Sequence, residues 1–142
     1  MIAPMRGAVG ILACVAVCAL AAPAATAGSG SPRAGVIAVI HAQDAAYNAK
    51  NWKLLYTYFG PIFKRTCPYA PWKQAVSTDP TNRFPEHTVV TNIRLSGNVA
   101  YVAYETLWHK AVVDRVFPGF PDKYVRVKGR WYDEIDAHTN CL

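Results

Sequence analysis

Apolar residues recur with a helical period between Val36 and Phe59, in the run VIAVIHAQDAAYNAKNWKLLYTYF. At 100° per residue, Val36, Ile37, Ile40, Asp44, Tyr47, Leu54, Leu55 and Tyr58 fall in one stripe about 100° wide, the signature of a helix with one face on a core. The stripe fits one continuous helix from about Ala34, or a long helix followed by a short one. Asn48-Ala49-Lys50-Asn51 favours the break, with Asn51 as N-cap of a second helix over Trp52 to Phe59. Gly60-Pro61 stops the run. Ile62 to Arg65 reads as a short strand running into Cys67. Between Cys67 and His87 the prolines at 68, 71, 80 and 85 leave room for one helix, Pro71 to Ser77, with Tyr69 and Trp72 as packing anchors.

The period then changes to two. Val89, Thr91, Ile93 and Leu95 alternate with Val90, Asn92 and Arg94, a strand with one buried face. Ser96-Gly97-Asn98 turns the chain into a second strand, Val99 to His109, whose two faces both carry large side chains and which therefore belongs at the centre of the sheet. Ala111 to Val116 continues the pairing, and Phe117-Pro118-Gly119-Phe120-Pro121 is a loop with two exposed aromatics. Tyr124 to Val127 and Arg130 to Ile135 close the sheet around Lys128-Gly129. Two registers are open there: a three-residue loop sets Val125 opposite Trp131, a better apolar match than the two-residue loop that sets Arg126 there. Helices followed by an antiparallel meander predict an α+β domain, one curved, mostly antiparallel sheet with helices on one face.

The first 27 residues stand apart from this pattern. Arg6, an apolar run from Gly7 to Ala22 and the small-x-small triplet Ala25-Thr26-Ala27 have the three-part form of a secretory signal peptide, with cleavage expected after Ala27. The run falls short of the roughly 20 residues of a membrane span, and its continuation past Cys14 argues against lipidation there. Residues 1–27 are thus read as leader, 28–33 (GSGSPR) as a flexible polar approach, and 34–142 as a single domain. A secreted protein with no integral span after processing is the expectation.

Composition adjusts this picture modestly. The chain carries 15 Lys+Arg against 9 Asp+Glu, a formal charge of +6, which loss of Arg6 lowers to +5. The basic residues are scattered, as on a solvated surface, and export disfavours nucleic acid as partner. Cys14 and Cys18 leave with the leader, so Cys67 and Cys141 form an even pair in an exported domain and are expected to be disulfide-bonded. The loop would be about 75 residues, worth on the order of 4 kcal/mol. The rival is a metal site built on the His138-x-x-Cys141 spacing with Cys67; lacking a second close ligand pair, it leaves no metal expected.

Several of these segments together resemble the nuclear transport factor 2-like superfamily, which includes ketosteroid isomerases and SnoaL-like polyketide cyclases. Tyr47-Asn48-Ala49-Lys50-Asn51-Trp52 with Leu55-Tyr56 resembles its opening helices. Ile93-x-Leu95-Ser96-Gly97-Asn98-Val99-Ala100-Tyr101-Val102 is similar to its second hairpin, and Tyr124 to Trp131 to its closing strand pair. The resemblance spans nearly all of residues 34–142. It implies a cystatin-like cone, a curved sheet wrapped around the N-terminal helix with an apolar pocket at its wide end, and a possible homodimer. The isomerase chemistry does not carry over: its general base falls at Cys67 and its oxyanion tyrosine at Gln43.

Asp44, a carboxylate on an apolar stripe, is the first candidate for chemistry, with His41 at i−3 as an acid/base partner. The bland alternative gives Asp44 a structural hydrogen bond. Asp133, on one strand face with Trp131 and Ile135, is the second candidate carboxylate. Tyr47, Tyr101, Tyr104, Trp108 and Asp133 are the candidate ligand-binding residues. No Ser-His-Asp order, phosphate loop or metal motif appears, and no cofactor is expected. The preferred expectation is a secreted, non-catalytic domain binding a small apolar ligand in the cone, or an envelope or host protein on its surface. The alternative is a SnoaL-like isomerase or cyclase working through Asp44 and His41.

Overall fold

A computed structural model describes residues 30–80 and 87–134. The expected leader and its cleavage point, most of the 28–33 approach segment's first half, Pro85, Ile135, His138 and Cys141 lie outside the described residues. Helix α1 spans Pro32–Asn48. It starts two residues before Ala34 because Ser31 Oγ accepts from the Ala34 amide at 3.3 Å and Pro32 occupies the first helical position, two start signals inside a stretch expected to be flexible. It ends at the expected joint: Lys50 adopts a left-handed φ of 53°, and the Asn51 amide donates back to the Ala46 carbonyl at 2.9 Å. Asn51 then caps α2 (Trp52–Thr57), its Oδ1 accepting from the Leu54 amide at 3.1 Å.

Ile62 to Arg65 is helical, not a strand: α3 spans Pro61–Thr66. Its first free amides, those of Ile62 and Phe63, each donate to a Glu134 carboxylate oxygen at 3.2 Å. A carboxylate about 70 residues away therefore supplies the cap that the local sequence lacks. Helix α4 spans Tyr69–Thr78, with Pro71 in its first turn as expected.

The sheet comprises β1 (His87–Ser96), β2 (Val99–Trp108), β3 (Ala111–Val116), β4 (Asp122–Val127) and β5 (Arg130–Asp133). All pairings between these strands are antiparallel; the path runs β1-β2-β4-β5, with β3 also on β2. On one flank β2 pairs with β4 through residues 99–102 and with β3 through residues 104–108, so it is the central strand. The result is an α+β fold, a curved open sheet wrapped around α1.

Two register details correct the sequence pattern. The β1–β2 ladder shifts between Val90 and Asn92. This bulge at Thr91 switches faces, so Thr88 and Ile93 point inward while Val89 and Leu95 are 39 % and 41 % exposed. The single buried face Val89-Thr91-Ile93-Leu95 is therefore not formed. The closing hairpin takes the two-residue loop, with Arg126 opposite Trp131. Lys128 and Gly129 both have positive φ (49° and 82°), the turn that matches strand twist. Trp131 finds its apolar partner on α1 instead of across the hairpin: its indole lies against Gly35, where an added Cβ would come within 3.0 Å of it.

Two apolar clusters result. Val36, Ile40, Ile93, Ala100, Val102, Tyr124 and Trp131 join α1 to the sheet. Ala46, Leu55, Phe59, Phe63, Cys67 and Trp72 knit the four helices, with Tyr56 against four aromatic rings. The two are tied by β5: the Asp133 amide donates to the Tyr58 carbonyl at 2.9 Å and the Gly60 amide to the Asp133 carbonyl at 2.6 Å.

Candidate functional site: a cavity with a buried carboxyl

The first cluster fills one end of the space between α1 and the sheet. Beyond it a cavity of about 630 Å³ opens, lined by α1, α2 and all five strands. Residues 40, 43, 44 and 47 present one helical face to it, and Tyr104, Thr106 and Trp108 present alternate positions of β2. The β2–β3 register shifts between Thr106 and Leu107, leaving Val113 unpaired, and this bulge lets consecutive Val113 and Asp114 both reach the lining.

Asp133 on β5 is a buried carboxyl in this lining, 6 % exposed. Oδ2 accepts from Gln43 Nε2 at 2.9 Å, and Gln43 Oε1 in turn accepts from the Tyr124 hydroxyl at 3.2 Å. Oδ1 is buried and has no hydrogen-bond partner among the described residues. Burial, which penalises the charged form, pushes the Asp133 pKa up to about 7; the Gln43 hydrogen bond and, more weakly, the Tyr124 hydroxyl oppose the rise, and the nearby carboxylates of Asp122 and Glu134 add to it. Asp133 therefore keeps its proton well above the pH at which an ordinary carboxyl has lost it. Tyr104 donates to Asp122 Oδ2 at 2.5 Å, and burial with that carboxylate holds its phenol far above the ordinary value. Burial likewise raises Tyr124 well above it, so both phenols stay neutral.

Asp44 has a different task. Oδ2 accepts from the Thr88 amide and Oδ1 from the Thr88 hydroxyl, both at 2.7 Å, so the carboxylate pins β1 to α1 just ahead of the Thr91 bulge. His41 is half-exposed, stacks on His87 with centroids 6.1 Å apart, and its Nδ1 is 4.0 Å from Asp44. It does not line the cavity. The structure thus does not assemble the expected acid/base pair inside the cavity, and the structural role read as the bland alternative describes Asp44.

Of the other candidates, Tyr47, Tyr104, Trp108 and Asp133 are brought together in the lining. Tyr101 is on the opposite face of β2, its ring 5.0 Å from the Arg94 guanidinium and beside Pro118 and Pro121 of the 117–121 loop. Its odd position on the strand, against Tyr104 and Trp108 at even ones, is the reason. Cys67 is buried in the helical cluster, away from the lining. Gln43, Thr88, Thr106 and Tyr124 line the cavity without having been singled out as binding residues. For Gln43 the sequence signal is weak: it lies 700° on from Val36, about 20° outside the edge of the stripe, a polar residue bordering the apolar face.

No protein-family model matches the chain, and no curated protein matches it. Among solved structures, the solution structure of a SEC-C motif containing protein from Rhodopseudomonas palustris is similar, with 14 % identity and a TM-score of 0.48, covering 69 % of this chain and 73 % of that one. No described helix is long and apolar enough to cross a membrane.

Proposed function

We propose that this chain is a secreted, non-catalytic domain of the nuclear transport factor 2-like kind that holds one small, largely apolar molecule in the cavity between α1 and the sheet. The observation that carries this reading is the buried Asp133 Oδ1, unpartnered in a cavity of about 630 Å³. A buried polar atom without a partner costs about 1–3 kcal/mol, and a ligand bearing one hydrogen-bond donor removes that cost while covering Ile40, Leu55 and Trp108. A surface partner would leave both features unused, which is why the cavity is preferred over an envelope or host protein as the binding mode.

The test is titration with the neutral fluorophore N-phenyl-1-naphthylamine. One saturable site is expected, weakened at least about tenfold by Thr106→Trp, which fills the cavity from β2, or by Val113→Trp at the β3 bulge. Unchanged affinity in both variants, with native thermal melts, would place the site elsewhere.

Export and the Cys67–Cys141 disulfide belong to the same reading. Intact-mass analysis of the exported protein should show a chain starting at Gly28 with both cysteines protected from alkylation until reduction. Alkylation of the folded protein without reductant would contradict the pairing.

A further inference from the structure

The chain as a whole is basic, with a formal charge of +6, yet the described residues lining the cavity include three aspartates, Asp44, Asp114 and Asp133, and no lysine, arginine or histidine. A cavity whose sign opposes that of the protein around it focuses a negative potential. The same walls offer aromatic faces from Tyr47, Tyr104 and Trp108.

The independent observation is the Asp133 side chain. It is 94 % buried, it lines the cavity, and Oδ1 has no partner among the described residues. Its other oxygen is held by the Gln43 amide, so the carboxyl is fixed in place with one acceptor position unfilled. We infer that the cavity selects a cationic ligand, an ammonium group on an apolar frame, with the ammonium donating to Asp133 Oδ1 and the frame against Ile40, Leu55 and Trp108. An N–H donor of positive charge satisfies Oδ1, gains from Asp44 and Asp114, and is attracted to the ring faces. A neutral ligand satisfies only the first, and an anion is repelled by all three carboxylates. No group is transferred and no bond is made or broken; the inference concerns recognition alone, and it rests on the ligand-binding reading above.

The experiment compares three probes that share one naphthalene frame: 2-(1-naphthyl)ethylamine, 2-(1-naphthyl)ethanol and 1-naphthylacetate. Each is titrated calorimetrically into the protein at pH 8, where the amine is still charged. The amine is expected to bind at least about tenfold tighter than the alcohol, and the acetate weakest. In Asp133→Asn the amine's advantage should fall to within about twofold while the alcohol binds as before. Equal affinity for amine and alcohol, a preference for the acetate, or a preference that survives in Asp133→Asn would each overturn the inference while leaving the ligand-binding reading standing. Absence of binding by all three would overturn both.

Discussion

Asp133→Asn is expected to stabilise the protein at pH 8 by about 2–4 kcal/mol and to change little at pH 4. Asp133 is buried, and its folded pKa of about 7 lies well above the ordinary value of 3.8. Below pH 4 both folded and unfolded chains carry the proton, so the carboxyl has no effect on stability. As pH rises past 4 the unfolded chain gives up its proton while the folded one keeps it, and stability falls until the folded carboxyl ionises near 7. Asparagine keeps the acceptor for Gln43 Nε2 and has no proton to lose, so the difference between variant and parent should grow from pH 4 to pH 7 and then level off. Chemical denaturation at five or six pH values reads this directly. A variant that is equally or less stable than the parent across the whole range would mean that the carboxyl is not held protonated in a dry site. A group kept at such a cost in stability is what a binding site demands and a purely structural position does not.

Gly60→Ala should cost about 3 kcal/mol, enough to lower Tm by roughly 10 °C in a domain of this size. A Cβ on Gly60 would fall inside the carboxyl group of Glu134. That group is 4 % exposed and accepts the Ile62 and Phe63 amides that open α3. Moving it aside strands a buried charge and two amides together, and α3 carries Phe63 into the helical cluster. Glu134→Gln, which keeps one acceptor and removes the charge, should cost less than Gly60→Ala. Thermal melts of the two variants check the order; a Gly60→Ala protein that melts with the parent would show that the Glu134 contact is not what holds α3.

The long-period patterns were legible in the sequence because each was decided locally. The α1 stripe, the Asn51 cap and the alternation of β2 depend on residues within a turn or two of each other, and so did the α+β class. The elements that depart from the sequence pattern depend on partners far along the chain. Ile62 to Arg65 has the composition of a short strand, and the Glu134 carboxylate that caps it as a helix lies about 70 residues away. Cross-strand apolar matching favours Val125 opposite Trp131, whereas Trp131 packs on Gly35 of α1 and the turn geometry of Lys128-Gly129 sets the register. The face of β1 could not be read through the Thr91 bulge, which carries no glycine to mark it. In the site, Asp44 drew attention as a carboxylate on an apolar stripe, but its oxygens serve Thr88, 44 residues away. Asp133 is the weaker candidate in the sequence because its burial depends on Gln43 of α1, 90 residues away, and on the Tyr58 and Gly60 backbone. Gln43 borders the stripe just outside Val36, where a polar residue carries no signal, and its partners Asp133 and Tyr124 lie 90 and 81 residues on.

The central claim is that Asp133 carries a buried, incompletely satisfied carboxyl waiting for a cationic group. The direct measurement is the side-chain carboxyl titration of Asp133 by carbon-13 NMR, assigned with Asp133→Asn, in the free protein and saturated with 2-(1-naphthyl)ethylamine. The groups facing it are the Gln43 amide, the Tyr124 phenol and the carboxylates of Asp122 and Glu134. A midpoint of about 7 is expected in the free protein, driven downward when the amine is bound, as an adjacent positive charge favours the ionised form. A free midpoint in the usual carboxylate range, or one that the amine leaves unmoved, would contradict it.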